Sequence, residues 1–359
     1  MQIAKEKTKP IVAALKLDSS DHSVLAATRY FARRLHAPVE LVHSIRPILS
    51  YVGSGDATVN PYYGYEMNFA LSSERAARTQ LSQLVQTLDD IEVRAHVVRD
   101  FPADAVLGVV QDYSASMIVC GVRSKDQEKD GKSFLSGLST GLTLASEATV
   151  PVLLVPPDLL GFNDPLRLLI ADNLESEGDF ALETAMKLAN DLHAEQLVHV
   201  HVQNATFREI DHMIDSVRES MIRGQMPSDP LLNRELYMER ISAQTVEEMV
   251  RRCREHNIHA LNSTLYEAVC RFGHPAEEVH NEVLNREIQL MIFGRHHLIR
   301  KHTLSLGRIP YNAMIEDRVA TLVVPDDAHY EMDTAGAFQR EDRREARFGH
   351  TTNFRGNHV

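Results

Sequence analysis

The chain has 359 residues, 43% hydrophobic and 25% charged, with a formal net charge of −12. That length suits two domains, each with its own core, and the charge argues against broad binding to nucleic acid or to an anionic membrane. No apolar run is long enough to span a bilayer. The polar stretch Met1 to Pro10 carries no signal-peptide pattern. The three cysteines, Cys120, Cys253 and Cys270, have no metal or disulfide spacing, so the expected compartment is a reducing cytoplasm.

In chain order, Ile11 to Leu17 is apolar and strand-like, and Asp18-Ser19-Ser20-Asp21 is a cluster of helix-capping residue types. Val24 to His36 has helical spacing, and Val39 to His43 is a second strand. A loop with Tyr51, Tyr62, Tyr63 and Tyr65 leads to a helix at about 71–88, a strand near 91–98 and a helix from Pro102 to Asp112. Met117-Ile118-Val119-Cys120-Gly121 is a fourth, fully apolar strand that stops on glycine, and Val150 to Pro156 is a fifth.

The same order then repeats. Leu166 to Ala171 is a strand closed by Asp172, and a polar turn leads to a helix ending Leu192-His193-Ala194, where the first unit has Leu35-His36-Ala37. Leu197 to Val202 is the next strand. In the insert that follows, Phe207, Ile210, Ile214, Val217 and Met221 give a helix one apolar face. A second helix runs to about Cys253, and the third strand is expected at His259 to Tyr266. Gly273-His274-Pro275 opens another helix, Leu290 to Gly294 repeats the glycine-ended strand, and Val319 to Pro325 repeats the last one. Near-continuous apolar strands alternating with helices mean parallel sheets covered on both faces. The predicted domains are 8–158 and 164–327, the second with a helical insert at about 205–256. The charged residues 328–359 read as a disordered tail.

This ordered set, found twice, resembles the universal stress protein family in a tandem two-domain form. The residues that carry the resemblance are Asp18-Ser19-Ser20-Asp21-His22-Ser23, Val42-His43 and Val200-His201, Gly273-His274-Pro275, and Pro151-Val152-Leu153-Leu154-Val155. The fold it implies is α/β: two doubly wound five-stranded parallel sheets of the adenine nucleotide alpha hydrolase-like (HUP) architecture, strand order 3-2-1-4-5. It further implies a stress-response regulator, with the halves paired as an intramolecular pseudo-dimer through their last strands. ATP or AMP is the ligand class implied, with Mg2+ if the nucleotide is ATP. A homodimer and an unnamed protein partner are compatible with it; nucleic acid and membrane are not expected partners.

Glycines at a strand's carboxyl end let backbone N–H groups approach phosphate, and a following helix start favours an anion. In the family's ATP-binding members the pattern is Gly-x-x-Gly, nine residues, then Gly-Ser or Gly-Thr. Here both copies depart from it. Gly294 is followed at the right spacing by His297 and Gly307-Arg308, in a stretch from Ile288 to Ile315 that has cations and no acid. Gly121 leads into a longer, charge-balanced loop ending Gly137-Leu138-Ser139-Thr140. Asp18 and Asp172, each after a first strand, would contact ribose or an ion by resemblance; the plain alternative for each is a cap. Spacing and charge favour the second half, hydroxyl chemistry the first. His199 and His201 read as a hydrogen-bonded pair in or beside the core, and His296, His297 and His302 lack the period of a metal site. No catalytic motif stands in the sequence, so no enzyme is expected, although slow ATP hydrolysis is compatible with the fold. The rival reading is an adaptor that has lost nucleotide binding and works through protein contacts.

Overall fold

The structure, a computed structural model, describes residues 8–45, 63–122, 140–175, 179–229, 232–255, 261, 263–295 and 318–325. In the first half, strands β1 (Ile11–Leu15), β2 (Val39–Ile45), β3 (Val93–Arg99), β4 (Met117–Gly121) and β5 (Val152–Val155) alternate with helices α1 (Asp21–Leu35), α2 (Tyr63–Thr87), α3 (Pro102–Tyr113) and α4 (Thr140–Glu147). The second half has β6 (Arg167–Ala171), β7 (Gln196–Gln203), β8 (Leu265–Phe272), β9 (Leu290–Gly294) and β10 (Ala320–Val324). Its helices are α5 (Asp179–Asp191), α6 (Phe207–Ile222), α7 (Arg234–Glu255) and α8 (Pro275–Arg286).

The strands make a ten-stranded sheet in the order β3-β2-β1-β4-β5-β10-β9-β6-β7-β8. Each half therefore has the expected order, third, second, first, fourth, fifth. Pairing is parallel within each half, and the two halves meet through an antiparallel β5–β10 pair. Gly121 stands beside Val155 and Gly294 beside Val324, which makes Leu153 and Leu322 equivalent positions. Those two residues are paired with each other, with Val152 opposite Val323 and Leu154 opposite Thr321. A pseudo-twofold axis thus passes between the two leucines, as in a self-complementary interface. The pairing covers two strand edges made of buried Val and Leu that would otherwise invite aggregation. The edges left open, β3 and β8, carry Arg94, His96 and Arg99, and Glu267 and Arg271.

One buried cluster spans both halves, from Ala13, Phe31 and Leu41 through Leu153 and Leu322 to Leu168, Leu182 and Leu197. A second, on the other face, gathers Val198, Val279, Val283 and Met291. The apolar face expected of α6 is divided. Ile210 and Ile214 are buried against Leu232 and Phe272, while Phe207 is 57% exposed. Thr206 and Glu209 form a capping box at its start.

Several element bounds differ from expectation. The third strand of the second half is Leu265–Phe272, not His259 to Tyr266. Its pattern is broken by Glu267 and Arg271 because it lies at the sheet edge, half open to water, and only pairing with β7 sets its place. α2 begins at Tyr63, so Tyr63 and Tyr65 are helical rather than loop. α7 packs on β8 as α2 packs on β3, so the helix added to the second half is α6 alone. Gly137, Ser139, His297, Gly307, Arg308, the other loop tyrosines and the tail lie outside the described residues.

Candidate functional site

In each half the strand order reverses between the first and fourth strands, and the loops at their carboxyl ends border a crevice there. In the first half these are the turn after β1, the end of β4 at Gly121, and the start of α4. A Cβ on Gly141 would lie 3.3 Å from the carbonyl oxygen of Gly121 and 3.2 Å from Leu154. The first turn of α4 is therefore seated directly on the end of β4, with Thr140 as its first residue.

The turn after β1 holds two carboxylates in different ways. Asp18 is exposed; its Oδ1 accepts from the Ser20 N–H at 2.8 Å and from the Ser20 hydroxyl. That hydroxyl holds Asp18 below the usual carboxylate range. Asp21 is buried, 5% exposed, and accepts from the N–H groups of Lys16 at 3.0 Å and Leu17 at 2.6 Å. Burial pushes its carboxyl up. Neither acts as the expected side-chain cap of α1: Ser20 is the capping residue and makes no side-chain cap bond. The carboxylates instead satisfy the turn itself, which Leu17 enters at φ 62°. Lys16, exposed beside this turn, is a further cation at the crevice that sequence reading did not single out. Its ammonium draws the Cys120 thiol down, but burial dominates and leaves that thiol pushed up to about 12, an inert core residue.

The second crevice is built differently. His43 Nδ1–H donates to the carbonyl of Leu15 at 3.0 Å, and His201 Nδ1–H to that of Asp172 at 2.9 Å. Leu174, two residues after Asp172, has φ 63°, as Leu17 has two residues after Leu15. The strand registers agree: Leu15 stands opposite His43, and Ala171 opposite Val200, so Asp172 is level with His201. Asp172 thus occupies the place of Leu15, and Glu175 the place of Asp18. The two aspartates that look equivalent in sequence are three positions apart in the fold.

Asp172 is buried and fully engaged. Its Oδ1 accepts from Leu174 N–H at 2.9 Å, and its Oδ2 accepts from His199 Nε2 at 3.1 Å and Arg252 Nη1 at 3.0 Å. His199 reaches Tyr266 Oη at 2.8 Å through Nδ1. Arg252, on α7, also donates to Asp179 and to the Glu175 carbonyl, and is 5% exposed. Burial alone would raise the Asp172 carboxyl; His199 and Arg252 outweigh it and hold the group low. Where the second half has Asp172, His199 and Tyr266, the first half has the apolar Leu15, Leu41 and Val93 at matching registers. His199 is a hydrogen-bonded core residue and His201 a hydrogen-bonded, half-buried one beside the core. Arg252 was missed, since one arginine in a charged helix carries no sequence signal.

Arg295, directly after Gly294, is turned away from its own crevice. Its Nη1 donates to the carbonyls of Ser146 and Ala148, both at 2.9 Å, at the far end of α4 in the other half. At least this cation of the acid-free stretch is engaged by protein carbonyls.

Residues 7–156 match the sequence model of the Universal stress protein family. That match covers the first half of the chain. No curated protein sequence matches the chain. Among solved structures, a universal stress protein from Archaeoglobus fulgidus is 16% identical, covers 89% of this chain and 97% of its own, and superposes with TM-score 0.58. A putative universal stress protein from Pseudomonas aeruginosa is 11% identical, covering 88% of this chain and 93% of its own, with TM-score 0.49. The first of these likenesses extends the universal stress protein fold over both halves. Among the described residues, no helix is long and apolar enough to cross a membrane, and no cluster of potential metal ligands occurs.

Proposed function

We propose that this protein is a stress-response regulator that binds an adenine nucleotide in its first half, between the carboxyl ends of β1 and β4. ATP or AMP is the ligand class, with Mg2+ accompanying ATP. Asp18 would meet the ribose or the ion, and Gly121, Gly141 and the start of α4 would present backbone to phosphate, with Lys16 adding a positive charge. Gly137, Ser139 and Thr140 belong to the same proposed loop.

The observation that carries the reading is the contrast between the two crevice carboxylates. Asp18 is exposed and, among the described residues, bonded within its own turn, which leaves it available to a ligand. Asp172 is 8% exposed and its oxygens are occupied by His199, Arg252 and Leu174. Gly294, with His297, Gly307 and Arg308 beyond it, makes the second half the weaker candidate, since Arg295 points to α4 instead. Binding is accordingly expected to be unequal.

Calorimetric titration with ATP and AMP, beside native mass spectrometry of the purified protein, tests this. Asp18→Ala should weaken binding by about tenfold, as for a lost charged hydrogen bond, with at most a small fall in melting temperature, because the bonds lost are those to Ser20 in an exposed turn. Gly294→Val should leave affinity intact. Failure of the wild type to bind millimolar nucleotide overturns the reading, and loss of ligand in the Gly294 variant alone moves the site to the second half. The adaptor reading draws on one specific feature: α6 and its end expose Phe207 and Ile222, the latter 86% exposed. It becomes the preferred account if no nucleotide binds.

A further inference from the structure

We propose that Arg295 is a positioning residue for the first crevice: a side chain of the second half that holds α4 in place from its far end. This rests on the first-half reading above for its functional consequence, but not for its structural one.

α4 has only eight residues, Thr-Gly-Leu-Thr-Leu-Ala-Ser-Glu. Helices this short are marginal in isolation, and glycine, threonine and serine are poor helix formers. Its position therefore depends on what anchors its ends. The near end is anchored within the first half, by the close approach of Gly141 to the Gly121 carbonyl and to Leu154. At the far end, the last carbonyls of a helix lack intrahelical partners and carry partial negative charge. A glycine or a basic residue at the helix's own end commonly meets that need, but α4 has no basic residue in its last turn. The charge comes instead from Arg295, about 150 residues away in sequence. Its Nη1 donates to Ser146 and Ala148 at 2.9 Å and approaches Ala145 at 3.5 Å. A planar guanidinium suits this task, because its donors diverge in a fixed plane toward several carbonyls at once.

The backbone of Arg295 is itself tied to the seam between the halves: its N–H donates to the carbonyl of Val324 in β10. β10 pairs with β5, whose Leu154 lies under Gly141. α4 is thus held at one end by the first crevice and at the other by the residue that closes β9 in the second. The first half alone would lack that hold. Any shift of the β9 end on ligand or partner binding would reach α4 through one side chain.

The test uses the full-length protein with Arg295→Met, Arg295→Lys and, as a control across the same two halves, Arg318→Met, which removes the exposed Arg318–Asp158 ion pair. Amide hydrogen exchange is read first, without nucleotide. Arg295→Met should speed exchange over 142–148 by about tenfold or more, with β1 and α3 unchanged. Arg295→Lys should fall between, since an ammonium is a point donor, and Arg318→Met should match wild type. With nucleotide, Arg295→Met should weaken affinity by about three- to tenfold while Arg318→Met does not. Unchanged α4 exchange in Arg295→Met overturns the proposal outright. Faster α4 exchange with undiminished affinity overturns the positioning role but leaves the nucleotide reading standing. If the wild type binds no nucleotide, the first-half reading fails, and exchange alone decides whether Arg295 holds α4.

Discussion

The two halves have the same strand order and nearly the same strands, yet they solve one problem in opposite ways. After the first strand of each, the chain must turn through a leucine in left-handed conformation, whose N–H needs an acceptor. In the first half Asp21, from the start of α1, reaches back to Leu17, and burial pushes its carboxyl up. In the second half Asp172, directly after the strand, accepts from Leu174, and it stands where Leu15 stands in the first half. Placing a carboxylate in that core position requires His199, Tyr266 and Arg252 around it. The first half thereby keeps its crevice aspartate, Asp18, exposed, and the second has turned its own into a structural ion pair. The two halves share one strand order, and burial of one carboxylate makes their crevices chemically different.

The sharpest way to break this comparison is to remove Arg252. Arg252→Met leaves Asp172 buried with one cationic partner fewer and should cost about 3–5 kcal/mol in urea denaturation. The combined replacement Arg252→Met, Asp172→Leu, His199→Leu and Tyr266→Val restores the first half's apolar pattern and should recover most of that loss. If the combined variant is as unstable as the single one, the network is not an exchangeable substitute for apolar packing.

A smaller effect is expected at α4. Gly141→Val must displace Leu154 or the end of β4, at a cost of about 1–3 kcal/mol. Gly108→Ala, in α3, meets nothing within 4 Å and should stabilise by about 0.5–1 kcal/mol. Thermal melts of the two variants side by side measure the contrast.

The pH dependence has a definite sign. The folded Asp172 carboxyl lies below its ordinary value, so its contribution is present at neutral pH and is lost as pH falls through that lowered value. Asp172→Asn should be less stable than wild type at pH 7, and the gap should narrow below about pH 4. A gap that widens on acidification would contradict the ion-pair account. Least dramatic is thiol reactivity: burial pushes Cys120 up to about 12 and Cys253 to about 11, so neither should react with a thiol reagent at pH 8 until the chain unfolds.

Much of the fold was legible because its signals are local. The glycine-ended strands, the Leu-His-Ala helix ends and the proline-led helices each mark a turn or a buried run within a few residues, and their repetition exposed the tandem. Pairing of the last strands was implied by the family resemblance and suits their uniform apolar character. The third strand of the second half was misplaced because an edge strand shows water one face, and Glu267 and Arg271 blur its pattern. Gly121 and Gly294 close β4 and β9, and Thr140 opens α4. The equivalence of Asp18 and Asp172 did not hold, because register is a property of paired strands rather than of one strand.

The sequence by itself determined that there are two copies of one α/β unit, where each turns, and that their last strands need covering. Those conclusions depend on apolar periodicity and turn chemistry, which act over short stretches. Only the tertiary structure decided what stands opposite what. It put Asp172 level with Leu15, brought Arg252 to it across 80 residues, and set Arg295 on a helix of the other half. These are long-range choices, made by strand register and burial, and they separate a crevice whose aspartate stays exposed from one whose aspartate is buried among the protein's own charges.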